Sequence, residues 1–107
     1  MKCEKCGEHN FKEWKSGETY EGLDEHHNPP EFITKALGEE WKGERHLLCR
    51  RCHITDLHKH IKRILWRNSS SSKFINSETW LMKKMNLDQL RIAKDEIYKF
   101  TKVWINE

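Results

Sequence analysis

Hydrophobic positions in the second half of the chain recur at three- and four-residue intervals, and they mark out helices. From about Cys52 to Arg67, Ile54, Leu57, Ile61, Ile64 and Leu65 fall within one arc of roughly 100° when drawn at 100° per residue. Asp56, His60, Arg63 and Arg67 fall on the neighbouring arc. The pattern predicts a helix with one packing face beside a polar, mostly basic one. Asn68 to Ser72 then break the helix with a serine run that reads as a linker. Beyond it, Ser77 can cap a helix over 78–85 that carries Trp80, Leu81 and Met85. Asn86, with Gln89 in the capping-box position, can cap another. Leu90, Ala93, Ile97, Phe100 and Trp104 form a stripe along this last helix, expected either to pack on the core or to act as a homodimer seam.

The first half is patterned differently. Residues 2–9 read as a tight turn, with Gly7 just after Cys6 as a thiolate knuckle needs. Residues 10–19 are polar and predict no element. Residues 20–27 lead into Asn28-Pro29-Pro30, which cannot continue a regular strand or helix. Residues 31–41 fit a short helical turn ending near Gly38, and residues 44–49 a short strand entering a cysteine pair. There are no internal repeats.

Composition explains how so small a core holds. The 107 residues suit one domain, but only 36% are hydrophobic and 35% are charged, so a staple is expected. Cys3 and Cys6, then Cys49 and Cys52, supply one: two Cys-x-x-Cys pairs with 42 residues between them. A two-residue spacer lets one turn present two thiolates to one ion, so the two pairs predict a structural Zn²⁺ site. A redox dithiol competes as a reading of either pair alone. No apolar run approaches the ~20 residues of a membrane span, and Lys2, Glu4 and Lys5 interrupt any apolar start. The expected location is cytoplasmic, without membrane partners, where paired thiols hold metal more often than they oxidise.

The formal charge of +3 hides a polarity. Residues 1–44 carry six Lys and eleven acids, residues 45–107 fourteen Lys or Arg and six acids, and within 45–73 the balance is eight basic to one acidic. A basic stretch beside a metal site suits a polyanion, although a solvated lysine-rich surface reads the same on charge alone. Histidine placement adds chemistry: His26-His27 precede the Pro-Pro turn, and His53 follows the last cysteine. Neutral imidazole ligates divalent ions, and its titration near neutrality suits a general base.

The run Asp24-Glu25-His26-His27-Asn28-Pro29-Pro30, followed by Leu47-Leu48-Cys49-Arg50-Arg51-Cys52-His53, resembles the HNH nuclease family over residues 3–67. The resemblance implies a small α+β fold, a ββα-metal motif in which a β-hairpin and a helix clamp one catalytic divalent ion (Mg²⁺, Mn²⁺, Ni²⁺ or Zn²⁺). The four-cysteine zinc site staples that motif. Residues 1–67 would be the nuclease core, 68–76 a linker, and 77–107 a C-terminal helical extension packing on the core or a partner. The implied activity is hydrolysis of DNA, double-stranded by expectation, with a histidine-activated water leaving 3′-hydroxyl and 5′-phosphate ends. By motif position His26 is a metal ligand, His27 the general base and His53 a second ligand.

Two features depart from the family pattern. Its middle asparagine, which holds the base-bearing loop, corresponds to Glu44, and no asparagine lies between Asn28 and Asn68. Nearby His46 is the candidate for that role. The last ligand is usually a histidine four residues after the Cys-His junction; here Leu57 stands there and His58 follows. In a regular helix from His53, His58 would point about 140° away. If the helix instead starts at Thr55 or Asp56, His58 can swing towards the metal as the third ligand. His60 shares the face of His53 about 10 Å along the axis, too far for the same ion. It joins Arg45, Arg50, Arg51, Lys59, Lys62, Arg63 and Arg67 as the expected phosphate contacts. The alternative is a non-catalytic zinc-binding module for nucleic acid or protein.

Overall fold

A computed structural model describes residues 2–7, 11–13, 19–21 and 23–107, with residues 11–13 and 19–21 described by their backbone alone. Residues 8 and 9 of the expected turn, and residues 10 and 14–18 of the following polar stretch, lie outside the described residues. The fold is α+β, with two two-stranded sheets and a set of helices. Strand β1 (Phe11–Glu13) pairs antiparallel with β2 (Thr19–Glu21), where the polar sequence had predicted no element. Three-residue strands are too short for an alternating pattern to announce them.

The second hairpin carries the chemistry. Strand β3 (Asp24–Asn28) runs antiparallel to β4 (Glu44–Leu48), with His26 opposite His46 and His27 opposite Arg45. Side chains alternate across a strand, so Asp24, His26 and Asn28 share one face, and Glu25 and His27 the other. His26 and Asn28 are buried while Glu25 is exposed. Between the strands, helix α1 (Glu31–Ala36) starts straight after Pro30 and buries Ile33 and Thr34. It stops as the sequence predicts: Gly38, at φ +70°, donates to the Lys35 carbonyl while Glu39 N–H reaches the Thr34 carbonyl. Those two bonds satisfy carbonyls that the last turn would otherwise leave open. A Cβ on Gly43 would run into the Asn28 carbonyl oxygen and the Pro29 ring, so the hairpin closes only with glycine there.

After Cys49 the chain enters a helix that is not regular. Residues Arg51–Leu57 are π-helical and lead without a break into α2 (His58–Asn68). The His58 N–H bonds the His53 carbonyl, five residues back rather than four. Neither expected geometry for this stretch holds: the helix is not uniformly α, and it does not start at Thr55 or Asp56. The extra residue also rotates the segment before it, which is why Ile54 is exposed (46%) and absent from the packing face. Leu57, Ile61, Ile64 and Leu65 are buried as predicted.

The serine run is fastened down: Ser69 Oγ donates to the Trp66 carbonyl and Ser70 N–H to the Lys84 carbonyl. Helix α3 (Glu78–Lys83) is capped by Ser77, whose hydroxyl accepts from Trp80 N–H. Helix α4 (Leu87–Ile105) begins at the Asn86–Gln89 capping box. Its stripe of Ala93, Ile97 and Trp104 joins Ile61, Ile64, Leu65 and Leu81 in a single core, with Phe100 packed against it. The stripe packs on the core, the first of its two expected roles. Among the described residues no helix is long and apolar enough to cross a membrane.

Candidate metal centres

Four cysteines meet at the start of the helix. The first pair sits on a turn closed by Gly7 N–H to the Cys3 carbonyl (2.9 Å), with Gly7 at φ +77°. The second pair spans the step from β4 into the helix, where Cys52 N–H reaches Cys49 Sγ at 3.4 Å. All four sulfurs lie within 4.8 Å of one another, and none is in a disulfide. Burial pushes the Cys52 thiol up, reinforced by its cysteine neighbours. Burial also pushes Cys3 up, but backbone contacts at Cys6, Cys49 and Lys5 outweigh it and bring the thiol down to about 7. Four such sulfurs cannot all ionise side by side without a cation between them, and soft donors at this spacing make a candidate zinc site.

Glu4 ties the two cysteine segments together. Its backbone N–H bonds the Leu47 carbonyl (2.9 Å), and its carboxylate accepts from Leu47 N–H (2.5 Å). The same carboxylate lies 3.0 Å from His46 Nδ1, and Glu44 is 3.3 Å from His46 Nε2. His46, expected to hold the loop of His27, instead links the hairpin to the cysteine turn. The cause is register: facing His26 across the ladder, His46 lies off the His27 face.

A second cluster gathers His26, His53 and His58, each offering a nitrogen within 4.8 Å of the others. His53 Nε2 and His58 Nε2 stand 3.1 Å apart. Two nitrogens bound tetrahedrally at ~2.1 Å to one ion would stand roughly 3.4 Å apart. The outer nitrogens are held by carboxylates: His53 Nδ1 lies 3.2 Å from Asp24 Oδ2, and His58 Nδ1 2.6 Å from Glu78 Oε1. A carboxylate on Nδ1–H fixes the tautomer and turns the Nε2 lone pair inward, the usual support of a metal-binding imidazole. His26 Nε2 is buried with no hydrogen-bond partner among the described residues. Burial, with His53 and His58 beside it, holds His26 down at about 3. Burial also lowers His53, against the opposing pull of Asp24. Both imidazoles are therefore neutral near pH 7 and free to donate lone pairs, so the donor set fits one divalent ion.

The remaining predicted residues are dispersed. His27 lies on the opposite face of β3 from His26; its Nε2 is 2.8 Å from Glu31, and its ring stands edge-on to Trp41 at 5.0 Å. Arg45 pairs with Glu25 (3.2 Å) and lies over Trp41. Arg50 reaches Asp24 (3.7 Å), and Arg67 reaches Glu96 (3.3 Å). Arg51, Lys59 and Arg63 are exposed and Lys62 is half-buried. His60 leans on Phe100 (4.9 Å), away from the three clustered histidines.

Three residues escaped the sequence reading. Asp24 was legible, because two residues before His26 on a strand means the same face. Asn28 continues that face, and its amide donates to the Tyr98 carbonyl (3.1 Å), fastening the end of β3 to α4. Glu78 had no local signal, since it comes from a helix 20 residues beyond His58. No protein-family model, curated protein or solved structure matches the chain.

Proposed function

We propose that this chain is a metal-dependent endonuclease of the HNH type, acting on DNA through a ββα-metal site formed by β3, β4 and the helix from Arg51. The observation that carries the reading is the three-histidine cluster, with Asp24 and Glu78 on its outer nitrogens, beside the strand that bears His27. A divalent ion bound there would supply Lewis acidity towards the scissile phosphate and offset charge on the leaving oxygen. His26, His53 and His58 would hold it. Glu31 lies 2.8 Å from His27 Nε2 and would favour the proton there, leaving Nδ1 to take one from the attacking water, with Trp41 edge-on to the ring. The cysteine site keeps the helix start in place. Arg51, Lys59 and Lys62 supply positive charge along the helix for the phosphate backbone.

Plasmid nicking with Mg²⁺, Mn²⁺, Ni²⁺ or Zn²⁺, set against a chelator control, tests this directly. The wild type should cut, and His27→Ala should lose ~10²–10⁴-fold in rate while still binding DNA and metal. Cutting at the wild-type rate by His27→Ala would remove His27 as the base. No cutting with any of the four ions would replace the enzyme with a zinc-stapled binding module. One observation favours that second reading: Glu44, at the family's asparagine position, is engaged by Tyr98, Lys102 and His46 rather than by the loop of His27.

A further inference from the structure

On the outer side of α2, away from both metal centres, lies a groove whose chemistry neither cluster uses. A cavity of about 630 Å³ is lined by His60, Arg63, Trp66, Arg67, Phe74 and Phe100, with Ile64 in its wall. It adjoins a second hollow of about 390 Å³ that shares Arg63 and Phe74 and adds Lys59 and Lys62. Three elements build it: α2, the fastened 68–76 segment that presents Phe74, and α4, which presents Phe100. Phe74 is nearly half exposed (47%), so its ring is open to a ligand from solvent. Its ring stands perpendicular to Trp66 at 5.7 Å, and His60 tilts against Phe100 at 4.9 Å. Of the four cations here, only Arg67 has a carboxylate within ion-pair distance among the described residues.

We propose that this groove binds an unpaired base of single-stranded DNA. Aromatic rings offer a surface on which any base can stack, and cations along the rim take the flanking phosphates. An apolar peptide would suit the rings but leave Lys59, Lys62 and Arg63 uncompensated, whereas a polyanion answers both. The volume also lies within the range of pockets that enclose small ligands. At 100° per residue His58 and Arg67, nine residues apart, lie on opposite sides of α2, so the groove is a site apart from the histidine cluster. The proposal rests on reading the chain as a DNA-binding protein, not on cleavage.

The test is anisotropy titration of a labelled twelve-nucleotide oligo-dT and of a blunt duplex of equal length, with zinc-loaded full chain and no added divalent ion. Phe74 is exposed enough to be replaced without disturbing the core. Phe74→Ala should weaken oligo-dT binding by roughly tenfold or more and duplex binding by less than about twofold. Phe74→Tyr should restore the oligo-dT affinity and Phe74→Leu should not, because only the former keeps a ring to stack. Arg63→Gln should lower the single-strand salt slope by ~0.7. Unchanged oligo-dT affinity in Phe74→Ala, equal losses for oligo-dT and duplex, or full affinity in Phe74→Leu would each overturn the proposal. The nuclease reading is scored separately by plasmid nicking. A wild type that cuts nothing yet shows the Phe74 pattern sinks the nuclease and keeps the groove; a nicking wild type without that pattern does the reverse.

Discussion

Replacing Glu78 probes the histidine cluster without touching a ligand. Its carboxylate sits 2.6 Å from His58 Nδ1, and both side chains are more than four-fifths buried. Solvent therefore screens this pair less than an ordinary surface ion pair. A hydrogen bond to a charged acceptor is worth ~1.5–3 kcal/mol net, against ~0.5–1.5 for a neutral one. Glu78→Gln keeps an acceptor oxygen and loses the charge, so the supporting bond should weaken by about 1–1.5 kcal/mol, roughly a tenfold loss in metal affinity. Glu78→Ala removes the bond altogether, and the loss should approach a hundredfold, the upper end for residues behind a metal ligand. The assay is calorimetric titration of Ni²⁺ or Mn²⁺ into zinc-loaded protein, where the cysteine site is already filled. Glu78→Ala also removes a bond present before the second ion is added, so fold stability should fall by about 1.5–3 kcal/mol, and the metal titration is read on protein shown to be folded. A second-ion affinity unchanged within twofold in Glu78→Ala, or no second ion bound by the wild type, would refute the reasoning.

Three further outcomes follow from the same structure. Purified protein should carry one chelation-resistant zinc, and Cys49→Ser should be largely unfolded, since zinc binding of ~10–16 kcal/mol feeds into folding; metal-free protein melting cooperatively at the wild-type temperature would contradict this. Gly43→Ala should cost about 1–3 kcal/mol in denaturant unfolding, because the new methyl meets the Asn28 backbone and the Pro29 ring; an unmoved midpoint would show that the hairpin end can yield. His26 titrates at about 3 when folded, because it is buried among other histidines, and near 6.5 when unfolded. Between those values the unfolded chain holds the extra proton, so stability is intact above 6.5 and declines as the pH falls, by about 2 kcal/mol at pH 5. Urea unfolding at pH 7.5 and pH 5 should show this loss in zinc-loaded protein and a smaller one in His26→Gln; equal losses would assign the pH dependence elsewhere.

Local signals in this sequence were reliable where one element decides the outcome. Ser77, Asn86 with Gln89, and Gly38 are caps whose chemistry is complete within a few residues, and each does what its residue type predicts. The two cysteine pairs meet as a candidate zinc site, the arrangement that their matched spacing predicts. What stayed hidden depends on distant partners. Glu78 reaches His58 only after the chain has turned through the serine run. The role of His46 was set by its place opposite His26 in the ladder, which no run of residues around it displays. Phe74 and Phe100 read as a loop residue and a stripe residue, and only the packing of α4 on α2 brings them to one groove.

The widened turn after Cys49 joins these levels, because it reconciles two demands that an α-helix cannot meet together. Cys52 must face the sulfur cluster while Leu57 faces the core, and both are buried. His53 and His58 must face each other, and they do at 3.1 Å. Each pair is five residues apart, and in an α-helix five residues overshoot a full turn by about 140°. A backbone bonded from residue 58 to residue 53 brings such pairs back to one side. Downstream, Leu57, Ile61, Ile64 and Leu65 keep α spacing, so the widening ends where the core begins. The signature was present in the chain: two adjacent pairs, 52/57 and 53/58, each joining residues of like purpose at a spacing of five. Read at 100° per residue, it looks like a misplaced histidine and an apolar Ile54 on the packing face. Read as one inserted residue, it accounts at once for the position of His58 and for the exposure of Ile54.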